Sequence, residues 1–343
     1  MKKLKKLYWK ARNMVQAQYL RALGGSGLLS ERKDPRDFEA KLGLSLGKYK
    51  PKYYPVSYFR YQFLQKDNIC TAAATVLAIS EQLGVRFSVK ATMRMMVRLG
   101  MVNGNGFSYS RAPLEVITKH GLIPYHLMPD ENVHMRWSEY SKWDAETEKL
   151  YRTVAPVYKM DRYEKISSTN ELLKALDMGF VPTTASGWCS AMNNPKAPNF
   201  LLKFLGAKIG AHQYRVTGNK TFLETPQTFG EYYGDHGKAY SETVFGRQYY
   251  TTYILKGENG GPMMDPKLLM PFFLRENEGK MVKAHDHLND SRCYVIEQGK
   301  KRHVSGEDDM RTFQELFRKT GLTRVNKTLL EAVPLGERYP FIQ

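Results

Sequence analysis

The order of two textures along the chain constrains the fold most. Between residues 70 and 179 the sequence reads as a series of helices, each stopped by a glycine. "CTAAATVLAISEQLG" (70–84), "SVKATMRMMVRLG" (88–100) and "RAPLEVITKHG" (111–121) carry apolar residues at helical spacing. "SSTNELLKALDMG" (167–179) opens on Ser168-x-x-Glu171, a capping box, and stops at Gly179. Beyond 180 the texture changes to short β-branched or aromatic runs between turn residues: "FVPTTASGW", "AHQYRVTG", "TFLET" and "QYYTTYIL". Helices first and strands afterwards predict an α+β protein of two lobes, not an alternating α/β sheet. The methionines of the second helix read as core packing.

The charge is not spread evenly. Of a net +18, most comes from residues 1–64, which hold 15 Lys+Arg against 4 Asp+Glu. Leu4, Leu7, Tyr8, Ala11, Met14 and Val15 recur there at helical spacing among lysines and arginines, giving a basic amphipathic arm over 1–33. Such an arm suits a polyanion (DNA, an anionic membrane or an acidic wall polymer), a partner's groove, or its own protein. No run reaches the ~18 apolar residues of a membrane span, and the N-terminus lacks the apolar core of a signal peptide. A soluble protein, cytoplasmic or virion-associated, is the expectation. Residues 34–256 form the main domain, 257–288, rich in glycine and proline, a linker, and 289–343 a small α+β module of strand, Gly-Lys-Lys turn, strand and helix.

Cys70, Cys189 and Cys293 are too few and too scattered for a disulfide framework or a zinc site. Cys70 stands at a helix start, where backbone N–H groups and the dipole favour a thiolate. A buried, inert cysteine is the competing reading of the same position. Of eight histidines, His212 in "IGAHQYRVTG" is the best base, at a strand start with small residues before it.

Downstream of both lies "QTFGEYYGDHG" (227–237). It resembles the asparagine-centred motif N-S-W-G-x-x-W-G-x-x-G of papain-like cysteine peptidases, with Gly230, Gly234 and Gly237 at its three glycine positions and Phe229 and Tyr233 at its tryptophans. His212 follows Cys70 by 142 residues, within the ~130–150 of papain and cathepsins. "PLEVITKHGLIPYHLMP" and "ELLKALDMGFVPTTAS" resemble other parts of the family, so the likeness spans residues 34–256.

The resemblance implies a papain-like two-lobed fold and hydrolysis of a peptide or isopeptide bond, with a peptide or protein as partner and no cofactor or metal. It makes Cys70 the nucleophile, His212 the base, Gln227 the orienting amide, and Gln65 the oxyanion donor with the Cys70 N–H. Phe229 would shield the His212–Gln227 bond, while Gly104 and Gly106 of "NGNG" and Ala211 would line the substrate path. Departures are plain: Asn68-Ile69 precede the cysteine, Thr71 follows it, and Gln227 replaces asparagine. Gln62 is a fallback donor and Asn219 an alternative orienter. A second expectation is a non-catalytic assembly protein of a phage virion, in which the basic surface binds DNA, membrane or virion partners.

Overall fold

The computed structural model describes residues 68–104, 106–130, 137–167, 169–189, 208–222, 225–231, 239–242, 249–257, 260–284, 292–304, 318 and 321–337. The basic arm lies outside them.

The central element is α1 (Cys70–Leu83). Its sequence is apolar or small almost all round, and every residue except Glu81 is buried. A helix without a polar stripe has to be covered on all sides, which goes beyond the one-sided burial expected from the sequence. Gly84 ends it in the left-handed region at φ 74°, with its N–H donating to Ser80 O. Glycine is the residue that adopts this conformation without a steric penalty.

Around α1 pack α2 (Val89–Arg98) and α3 (Arg111–Lys119), followed by the short α4 (Trp137–Ser141) and α5 (Ala145–Thr153). Met93 and Met96 are wholly buried, as core methionines should be. Buried Arg94 ties this group together by donating to Glu139 O, Asp144 Oδ2 and Thr147 Oγ1. The N-terminus of α2 is capped twice, by Ser88 Oγ and by the carboxylate of Asp130. Burial pushes the Asp130 carboxyl up to about 6 despite its Arg86 partner.

The chain then passes through β1 (Arg162–Lys165) and α6 (Thr169–Asp177) into the sheet-rich part. Ser168 of the expected capping box lies outside the described residues, but Glu171 does reach back to accept from Ser167 N–H at 2.7 Å. The strands β2 (Thr183–Cys189), β3 (Lys208–Phe222), β4 (Thr225–Glu231), β5 (Ala239–Glu242) and β6 (Tyr249–Lys256) complete a six-stranded sheet. Its order is β1-β6-β2-β3-β4-β5, and every pairing is antiparallel.

Residues 257–288 differ from the expected linker. They carry α7 (Pro266–Asn277), capped by Asp265, and β7 (Met281–Ala284). The glycines and prolines that suggested a linker stand mostly before that helix, and Pro266 is its first residue, where proline's missing N–H costs nothing. With β8 (Cys293–Glu297), β9 (Lys300–Val304) and β10 (Leu322–Val325), β7 makes a second sheet in the order β10-β7-β8-β9. The expected strand–turn–strand is there, and α8 (Lys327–Ala332) closes the chain's described part.

This C-terminal unit is not a tethered extra. Val282, Ile296, Val325, Leu329, Leu330 and Val333 belong to one apolar core with Ile69, Val76, Leu83, Phe87 and Phe273. At roughly 1.5–3 kcal/mol for each large side chain buried, that docking is far stronger than a flexible linker would need.

Candidate active site

The start of α1 is built from an unusual cap. Ile69 occupies the N-cap position with no side-chain hydrogen bond, and no acidic residue stands in the first turn. No carboxylate of the first turn offsets the positive end of the helix dipole, and Cys70 is the first residue to feel it. Cys70 is not disulfide-bonded, is wholly buried, and packs against Ala185 of β2.

The sheet register then links this thiol to the histidine. Ala185 stands opposite Gln213, and its neighbour Ser186 stands directly opposite His212. His212 is thus one step along the ladder from the residue that touches Cys70. Two segments separated by 142 positions in sequence thus lie on neighbouring rungs, Ala185 and Gln213 turned toward α1 and His212 alternating to the other face. The pleat turns His212 to the same face as Tyr214, with ring centroids 6.3 Å apart and planes inclined by 21°. Gln213 and Arg215 point to the other face, against α1. His212 is 2% exposed. Burial pushes its pKa down to about 3, so the imidazole is neutral near pH 7.

The loop expected to carry substrate backbone lies beside the same helix start. Gly106 has φ +86°, and a Cβ there would lie 3.2 Å from both the Asn68 carbonyl and the Trp137 ring. Only glycine allows the loop to lie this close to the residues just before Cys70. The loop is fastened by Asn103, whose carbonyl accepts from Gly106 N–H and whose Oδ1 accepts from Phe107 N–H, each at 3.0 Å. Gly104, by contrast, is exposed with open space around it.

Other expected residues fall elsewhere. Gln227 is in β4, opposite Lys220 of β3. Lys220 is eight residues beyond His212 on that strand, or about 26 Å at ~3.3 Å per residue. Phe229 stands opposite Gly218 and Asn219 opposite Thr228. Both positions lie about 20 Å along the strand. Ala211 is in β3 opposite Gly187, beside His212 in sequence, but its side chain is outside the description. Gln65 and Gln62 lie outside the described residues, as does the second half of "QTFGEYYGDHG".

Polar residues not singled out in the sequence also line α1. Gln82, near its end, donates to Leu255 O and Pro262 O and accepts from Val181 N–H. A glutamine within an otherwise apolar helix was the available signal.

The helical group around a Cys-bearing central helix, facing an antiparallel sheet that bears the histidine, is the papain-like fold, of α+β class. Xylellain, a cysteine protease from Xylella fastidiosa, shares it with a TM-score of 0.52 at 16% identity over 68% of this chain and 96% of that one. The proCathepsin B S9 of Trypanosoma congolense shares it with a TM-score of 0.56 at 10% identity over 70% of this chain and 88% of that one. No protein-family model and no curated protein sequence matches the chain. No helix among the described residues is long and apolar enough to cross a membrane.

Proposed function

We propose that this chain is a thiol peptidase that hydrolyses peptide or isopeptide bonds through an acyl-enzyme, with Cys70 as nucleophile and His212 as base. The observation that carries the reading is a helix-start cysteine packed on β2, one residue from the position that pairs with His212 of β3, on a papain-like fold. The dipole at the uncapped helix start stabilises sulfur as thiolate. The histidine is neutral at physiological pH and has a lone pair for the thiol proton, while its burial disfavours the imidazolium, which the thiolate charge would have to offset. The thiol proton passes to the imidazole while sulfur adds to the substrate carbonyl carbon. The C–N bond then breaks, and the imidazolium returns the proton to the leaving amine. Water cleaves the resulting thioester. Substrate backbone lies along the 103–106 loop, where Gly106 keeps the loop close to the cysteine segment.

One observation favours a second reading, that of a papain-like scaffold serving assembly, as in a phage virion. Cys70 and His212 are both closed to solvent in this conformation, whereas hydrolysis requires access to both. In that reading the basic residues 1–64 are the contact to DNA, an anionic membrane or virion partners.

An epoxide or vinyl-sulfone peptide probe separates the two. Peptidase chemistry is expected to give modification of Cys70 in preference to Cys189 and Cys293, lost in His212→Ala. Equal labelling of the three thiols, or labelling indifferent to His212, would refute the peptidase.

A further inference from the structure

The face of β3 turned toward α1 is polar where a core strand would be apolar. Gln213 Nε2 donates to Thr75 Oγ1 at 3.0 Å, and Arg215 Nη1 donates to Leu77 O and Glu81 Oε1, both at 3.3 Å. These groups are deep inside: the Arg215 side chain is 0% exposed and that of Glu81 7%. Thr75, Leu77 and Glu81 all lie on the helix that begins with Cys70, and Gln213 and Arg215 on the strand that carries His212. The seam is an unpromising way to gain stability. Gln213 Oε1 and Thr183 Oγ1 are buried without a protein partner. A buried ion pair, moreover, is often no better than well-packed apolar groups of equal volume.

What such a seam supplies is register. Apolar contact is non-directional and tolerates sliding, while a hydrogen bond fails beyond about 3.5 Å. A slip of α1 by one residue along its axis, about 1.5 Å, would break both the Gln213 and the Arg215 contacts. We propose that Gln213 and Arg215, with Thr75 and Glu81, are positioning residues that lock the helix bearing Cys70 against the strand bearing His212 in a single register. The proposal rests on the peptidase reading above. The residues act through the dyad and do not touch substrate.

Two full-chain variants, Arg215→Met with Glu81→Leu and Gln213→Leu with Thr75→Val, replace the seam by apolar groups of similar size. Thermal unfolding, the pH profile of Cys70 alkylation by iodoacetamide, and kcat and KM on a peptide substrate are compared with wild type and His212→Ala. The expected result is an unfolding temperature equal to or above wild type. The alkylation profile should shift toward that of an ordinary thiol, and kcat should fall about a hundredfold at little-changed KM. Folded variants with the wild-type pH profile and kcat would overturn the positioning role alone. Failure of both to fold would also overturn it, since the seam would then hold the fold itself. Wild-type alkylation indifferent to His212→Ala would instead remove the peptidase reading, and the positioning role with it.

Discussion

At its C-terminal end α1 is tied by Gln82 to three separate segments, the ends of β6 and its following loop and the approach to β2. Asn326 Nδ2 adds a bond to Gln82 O, and a Cβ on Gly84 would come within 2.8 Å of the Asn326 Cβ. At its N-terminal end the same helix has Ile69 as a cap that bonds nothing through its side chain, a thiol against Ala185, and a glycine loop packed on Asn68. The C-terminal unit thus serves as a buttress on the end of the helix where no chemistry is proposed. The fold is fastened away from the thiol. The first turn at the dipole end that would act on sulfur holds no carboxylate.

The largest effect should come from Gln82→Leu. It strips partners from Leu255 O, Pro262 O and Val181 N–H at once, at a cost of roughly 3–5 kcal/mol in urea unfolding. A cost below about 1 kcal/mol would show that the back of the helix is not the fastening point.

The second test uses pH and the front end. His212 titrates near 3 when folded and near 6.5 when unfolded. Between those values the unfolded chain binds more protons, so stability is full above pH 6.5 and falls as pH drops to 3, by up to about 4 kcal/mol. Asp130, raised to about 6 from 3.8, works the other way as pH falls through that window. The His212 contribution is therefore the difference between wild type and His212→Phe at each pH. A difference that stays constant from pH 7 to 3 would mean that the ring is not held neutral by burial.

Smallest should be the stability effect of Cys70→Ala, about 1 kcal/mol for a small group lost beside another small side chain, with complete loss of probe labelling at that position. A cost matching that of Gln82→Leu would erase the contrast between the two ends and make Cys70 a core residue first.

Much of this was legible in the chain. The helices over 70–84, 88–100, 111–121 and 167–179 appear within a few residues of those bounds, because caps, glycines and apolar spacing are local signals. Cys70 at a helix start and His212 in a strand were likewise read from their neighbours. The orienting residue was not. The motif from Gln227 to Gly237 matched in its glycines, but motif spacing does not specify where a hairpin turns. Phe222 pairs with Thr225, and Gln227 falls opposite Lys220. Nor was the Gln213–Thr75 and Arg215–Glu81 seam visible, since its partners lie more than 130 positions apart.

Local signals along the chain set the list of elements and their ends. These follow from steric and hydrogen-bonding preferences that act over three or four residues. Long-range packing set the rest: α7 and β7 join the core, and the sheet places His212 one rung from the pair that includes the neighbour of Cys70. Burial and strand register are settled by packing among segments distant in the chain, which no local preference encodes.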